Sequence, residues 1–104
     1  MACNFNIIRC LYTNVATETT NDSTMYTVPE GKTFILEICG GDACYLNTVK
    51  VEIWAGSSIL YATHGGREVK CTKEFPAGTV FTIKLVNDSS NNETIGGYFK
   101  GNEV

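Results

Sequence analysis

The stretch YTVPEGKTFILEI, residues 26–38, decides the fold class of this chain. Pro29 fixes the backbone φ angle where a turn begins, and Gly31 can adopt the positive φ angle with which such a turn ends. After the turn, alternate residues are apolar and point to one face: Phe34, Leu36 and Ile38. A period of two residues is typical of a half-buried β-strand, so the stretch predicts a turn followed by a core strand.

The same combination of turn and strand recurs at residues 75–86, where FPAG is followed by TVFTIKLV. Other alternating segments are predicted to form strands: residues 5–12, 49–55, 59–63, 67–72 and 94–100. Residues 15–24 lack any period and are expected to form a loop or a frayed edge, while residues 39–44 have a turn composition. The Gly96-Gly97 pair indicates a bulge or a close approach to the backbone.

Turn residues recur about every ten positions along the chain, and no segment has the 3.6-residue period of a helix. These features predict an all-β fold, a single antiparallel β-sandwich domain of about eight strands that spans residues 1–104. The number of strands favours a jelly-roll-like topology, with an immunoglobulin-like sandwich as the alternative.

The charge balance and the first residues limit the partners that can be expected. The chain of 104 residues has a net charge of −3 at pH 7, so it offers no basic face for nucleic acid. No apolar run approaches the length of a membrane span, and the first residues lack the features of a signal peptide. We therefore expect no nucleic-acid partner, no membrane partner, and synthesis in the cytoplasm without a signal peptide.

The five cysteines are irregularly spaced and odd in number, which is a poor pattern for a disulfide framework. Cys39 and Cys44 form the closest pair, and His64 and Cys71 are conceivable further ligands of a metal. One loose pair is weaker evidence than the two tight pairs of a structural zinc site. Free thiols are favoured, a Cys39–Cys44 disulfide or metal site remains an alternative, and no metal or cofactor is predicted.

The only histidine, His64, lies beside Gly65 at the end of a predicted strand. Nucleophilic catalysis requires a histidine next to a serine or cysteine and an orienting group, and no motif of that kind is present in the sequence. The carboxylates are scattered, and no pair is distinguished for acid–base chemistry. We therefore predict that the protein is not an enzyme.

The only tryptophan, Trp54, shares the predicted outer face of strand 49–55 with Lys50 and Glu52. A large ring on a polar sheet face is a frequent anchor for contacts with a sugar or with another protein. Alternatively, residues 13–24 cover this face, and the ring then belongs to the interior.

Segment 5–12 is apolar on both faces, which is typical of a strand that is either central in a layered structure or covered by a neighbouring subunit. Several large apolar side chains lie on predicted outer faces: Ile8, Tyr12, Ile35, Val80 and Val86. Together they predict an apolar outer patch, which favours subunit contact over a small-molecule site. The first three, with Trp54, are the predicted interface or ligand residues.

The phrases YTVPEGKTF and FPAGTVFTIKL resemble small jelly-roll-like β-sandwich modules of phage virion proteins and of bacterial exported proteins. The resemblance covers roughly residues 25–100 and rests on the combination of turn and strand. It implies a structural or adhesive role, commonly in a symmetric oligomer such as a trimer. Exported modules rarely carry several free thiols, so the cysteines favour a particle that is assembled in the cytoplasm.

These observations predict a non-enzymatic structural or assembly protein, associated with a phage or virion. It is expected to form a homo-oligomer through its apolar outer sheet face and to join a larger assembly such as a capsid or tail. The alternative is a carbohydrate-binding module that uses Trp54 together with Tyr45 or Tyr61.

Overall fold

A computed structural model of the chain describes residues 5–43 and 48–104, which form eight β-strands and contain no helix. The strands are β1 (Ile7–Val15), β2 (Thr19–Thr27), β3 (Phe34–Asp42), β4 (Val49–Ala55), β5 (Ser58–Thr63), β6 (Arg67–Phe75), β7 (Val80–Asn87) and β8 (Glu93–Glu103). Every strand pair is antiparallel. The prediction of an all-β antiparallel sandwich is therefore confirmed.

The strands form two four-stranded sheets, sheet A in the order β1-β8-β3-β6 and sheet B in the order β2-β7-β4-β5. The pairs are nested: β4 lies beside β5, β3 beside β6, β2 beside β7 and β1 beside β8, alternately in sheet B and sheet A. This is the order of a two-stranded ribbon rolled into two sheets, a jelly roll. The immunoglobulin-like alternative is wrong, because it would place β1 and β2 in one sheet.

The core between the sheets is a cluster of aromatic rings surrounded by aliphatic side chains. Phe34 and Phe81 meet edge to face with ring centroids 5.2 Å apart, and Phe99 packs on Phe81 at 5.2 Å. All three are fully buried. Edge-to-face and offset pairs are the geometries that aromatic rings favour, so the rings join sheet A to sheet B.

The stretch at residues 26–38 forms the predicted turn and core strand. The amide of Lys32 donates to the carbonyl of Pro29 at 3.1 Å, and Gly31 has a φ angle of 79°. The second copy has the same geometry, because the amide of Thr79 donates to the carbonyl of Pro76 at 3.2 Å. A type II turn requires this positive φ angle at its third position.

Strand β3 differs from the prediction in its second half. A register shift between Leu36 and Ile38 leaves Glu37 as an extra residue opposite β8, so the alternation reverses. Cys39 is buried instead of Ile38, which is half-buried. The strand continues to Asp42, although a turn was expected at residues 39–44. The prediction for Ile38 is therefore wrong, and so is the turn within the described part of 39–44.

Residues 19–27 form strand β2, the edge of sheet B, where a loop or a frayed edge was expected over residues 15–24. This strand is rich in threonine and almost wholly exposed, so it has no apolar period. Its register with β7 shifts at Met25, and bulges of this kind are common at sheet edges. The segment lies beside β7 within the sheet, so it does not cover the outer face of sheet B.

Candidate functional site

The predicted interface residues lie on two opposite faces of the sandwich. Ile8, Tyr12 and Ile35 are on the outer face of sheet A, whereas Trp54 is on the outer face of sheet B. The two valines of β7 belong to the Trp54 side. Because the core separates these faces, the single apolar patch expected from the sequence does not form.

Strand β1 presents two large apolar side chains on the outer face of sheet A. Ile8 is 53% exposed and Tyr12 63%, and Cys10 is exposed between them. The only charged residue of β1, Arg9, is turned to the seam between the sheets, where its Nε donates to the carbonyl of Met25 at 3.2 Å. We name the row of Ile8, Cys10 and Tyr12 the β1 strip; it is exposed and carries no charge.

Glycines position the aromatic rings on this face. The ring of Tyr12 occupies the space above Gly96, its cross-strand partner on β8, and a Cβ atom at Gly96 would overlap it. The ring of Tyr98 occupies the space above Gly40 of β3 in the same way. The close approach expected at Gly96-Gly97 is thereby explained. A ring held against backbone loses little conformational entropy on binding, which suits Tyr12 to be a contact residue.

Charged groups on this face begin on β8, the strand that pairs with β1, and continue onto β6. The hydroxyl of Tyr98 donates to Glu68, and the ammonium of Lys100 lies 5.3 Å from the centre of its ring. Burial and the hydrogen bond to Glu68 raise the pKa of Tyr98 to about 12. Ile35 is half-buried and pairs with Glu74 of β6. The apolar character of the face is therefore concentrated at the β1 strip.

Trp54 lies within a charged network on the outer face of sheet B. Its Nε1 donates to Glu52 at 3.0 Å, and the ammonium of Lys84 lies 4.4 Å from the ring centre. Lys50 forms an ion pair with Glu52 at 2.7 Å. Burial alone would raise the pKa of Glu52, but the hydrogen bonds from Lys50 and Trp54, with the charge of Lys84, outweigh it and lower the pKa.

This geometry bears on the carbohydrate-binding alternative. A sugar stacks on an open ring face, and Lys84 lies over a face of Trp54. Tyr61, one of the two suggested partners, is buried and donates its hydroxyl to the carbonyl of Arg67 at 2.5 Å. The other, Tyr45, lies outside the described residues. Tyr61 therefore cannot share an exposed platform with Trp54.

Of the suggested metal ligands, only Cys39 and Cys71 lie together among the described residues. Cys39 lies in the core beside Cys71. Its pKa is raised, mainly by burial and to a smaller extent by the proximity of Cys71, so the thiol is kept protonated. Cys44 lies outside the described residues. The Nδ1 atom of His64 is 2.9 Å from the carbonyl oxygen of Val49. Residues 5–43 and 48–104 contain no group of three or more candidate ligands that could hold a metal ion.

Comparison of the chain with protein-family models, with curated proteins and with solved structures finds no match. Among the described residues, no helix is long and apolar enough to cross a membrane. The function is therefore inferred from the geometry alone, and the β1 strip is the surface on which that inference rests.

Proposed function

We propose that the protein is a structural assembly protein that self-associates through the outer face of sheet A, with the β1 strip at the centre of the contact. The observation that carries this proposal is the exposure of Ile8 and Tyr12 on the β1 strip, which carries no charge. Contiguous apolar side chains on a sheet face mark interaction sites. Tyrosine is among the residue types that contribute most to the free energy of association.

The proposal extends to a larger assembly of the kind that the sequence resemblance implies, a phage or virion particle such as a capsid or tail. The strand order supports this extension only as an analogy, because jelly rolls occur in capsid domains and also in lectins and cupins. The uncharged β1 strip favours contact with protein, since a sugar site requires polar groups placed around its rings.

The oligomeric state tests the proposal, with sedimentation velocity or light scattering measured over a range of micromolar concentrations. We expect the wild-type protein to associate and Tyr12→Ser to weaken the association by about thirtyfold, which corresponds to about 2 kcal/mol for a central contact residue. Ile8→Ser is expected to act in the same direction.

Ile59→Ser is the matched control, because Ile59 is exposed to a similar extent, 48%, and lies on β5 of the other sheet. It is expected to leave the association unchanged. A monomeric wild-type protein would contradict the proposal, as would equal effects of Ile8→Ser and Ile59→Ser.

A further inference from the structure

A groove of about 590 Å³ lies between the β4–β5 turn and the β6–β7 loop, on the side of the molecule where β5 and β6 are the edges of their sheets. Its volume falls within the range of small-molecule sites, roughly 300–1,000 Å³. Its apolar lining is drawn from both sheets: Ala55, Leu60, Phe75, Ala77 and Val80. The groove is remote from the β1 strip, because β1 is the opposite edge of sheet A.

A β-bulge turns Leu60 into this groove. The register of β4 and β5 passes from Ile53 opposite Tyr61 to Trp54 opposite Ile59, so Leu60 is an extra residue in β5. Tyr61 is buried, and regular alternation would therefore turn Leu60 outward. Instead, Leu60 packs against the core cluster and lines the groove. Bulges commonly re-aim side chains next to binding sites.

The walls of the groove are tied to the rest of the sandwich by backbone hydrogen bonds. The amide of Gly56 donates to the carbonyl of Val80 at 2.7 Å, and the amide of Gly78 donates to the carbonyl of Val28 at 2.8 Å. Both glycines have positive φ angles, 59° and 89°. A groove with fixed walls exists before a ligand arrives, which lowers the entropic cost of binding.

One charged residue, Lys73, lines the groove. It lies opposite the core residue Leu36 in the register of β3 and β6, and its ammonium is 5.6 Å from the ring centre of Phe75. Within the described residues the only ion pair joins Lys50 and Glu52, so no described carboxylate lies within 4.0 Å of Lys73. The groove therefore combines apolar side chains with two serines, one threonine and one cation that is available to an anion.

We propose that this groove binds a small carboxylate with an apolar tail, such as a medium-chain fatty acid. The tail lies against Leu60, Phe75 and Val80, and the carboxylate meets the ammonium of Lys73. Apolar burial provides most of the affinity, and the charge selects the head group. This binding is separate from self-association, since the two surfaces share no residue.

The test is a titration of the full chain with octanoate, followed through the backbone amide signals in two-dimensional NMR. We expect saturable shifts at Gly56, Leu60 and Gly78, with the amides of the β1 strip unaffected. Octylammonium, which has the same tail and the opposite charge, is expected to bind at least tenfold more weakly. Equal binding of the two probes would overturn the proposal, and so would the absence of saturable shifts at the groove.

The variant Lys73→Met removes the charge and keeps an apolar stem of similar length. It is expected to weaken octanoate binding by about threefold to fivefold, the effect of a partly exposed ion pair. Lys70→Met, on the same strand but outside the groove, is the control and is expected to bind like the wild-type protein. If Lys73→Met also binds like the wild-type protein while giving a folded spectrum, the proposal is wrong.

Discussion

Asn87 is the buried polar residue that closes one end of the sandwich. Its Nδ2 donates to the carbonyls of Val15 and Asn91 at 2.9 and 2.8 Å, and its Oδ1 accepts hydrogen bonds from the amide and hydroxyl of Ser89 at 2.9 and 2.6 Å. The side chain is fully buried and uses all its hydrogen-bonding groups to join β1 to the β7–β8 loop. In the sequence it is only one of several asparagines in a polar segment.

We expect Asn87→Ala to lower the free energy of unfolding by about 2–3 kcal/mol, because it leaves the carbonyl of Val15 and the amide of Ser89 without their side-chain partner. Urea denaturation measures this loss. The control is Asn14→Ala, which removes one exposed hydrogen bond, from Asn14 to Thr94 at 3.4 Å, and should cost less than about 0.5 kcal/mol. Similar losses for the two variants would show that Asn87 does not have this role.

The location of Trp54 illustrates what can be predicted for single residues. Alternation in β4 correctly placed the ring on an outer face, because each residue of that strand follows the period of two without interruption. The contact with Lys84 depends on which strand lies beside β4, and β7 is about thirty residues further along the chain. A pattern within one segment contains no information about that neighbour.

The strands were predicted well where apolar and polar residues alternate along the segment. They were predicted poorly where a strand contains a bulge or lies at the edge of a sheet. Residues 49–55 match β4 at both ends. In β3 and β5, one extra residue reverses which side chains point to the core. Neither Glu37 nor Leu60 is of a residue type that marks a bulge in a sequence. The first part of β2, residues 19–24, was expected to be a loop or a frayed edge because both of its faces are polar. Pairing with β7, and not an apolar period, holds this part in the sheet.

The edge strands differ in how they avoid pairing with other chains. Strand β6 carries charges along its length, and β2 has a bulge. Strand β1 has Arg9, whose guanidinium donates to the carbonyls of Met25 and Ile8 at 3.2 and 3.0 Å. An inward charged residue is a known means of protecting an edge.

We expect Arg9→Met to produce species larger than those of the wild-type protein, because it frees the carbonyls of Ile8 and Met25 beside an apolar strand. Sedimentation velocity at increasing protein concentration detects such species. Arg67→Met, at the start of the opposite edge strand of sheet A, is the control and should sediment like the wild-type protein. If both variants sediment alike, Arg9 is not what protects this edge.

At the scale of the whole molecule, the two outer faces have different characters. The outer face of sheet B is a network of charges around Trp54, and that of sheet A has the uncharged β1 strip. The sequence identified side chains on both faces without assigning each to a sheet. That assignment depends on the strand order, which is set by pairings between distant segments such as β1 with β8.

The first and last strands lie side by side, which makes a circular permutant feasible. The amide of Asn6 donates to Asn102 at 3.2 Å, and the amide of Glu103 donates to Asn6 at 2.8 Å. We expect a chain in which Val104 is joined to Met1 by a short linker and opened between Gly65 and Gly66 to unfold cooperatively on heating, because exposed loop tips tolerate new ends.

The matched permutant is opened between Phe99 and Lys100, within β8. It is expected to show no cooperative transition, because β8 is hydrogen-bonded to strands on both sides. Circular dichroism during heating distinguishes the two chains. Cooperative melting of both permutants would mean that an uninterrupted β8 is not required for cooperative folding.

The central position of β8 also has a consequence for protein synthesis. While the nascent chain is on the ribosome, β1 and β3 have no strand between them until residues 93–103 have emerged. Gly96, over which Tyr12 packs, belongs to that last segment. Sheet A is therefore completed only after the segment of β8 has been synthesised, although its edge strand β1 is made first.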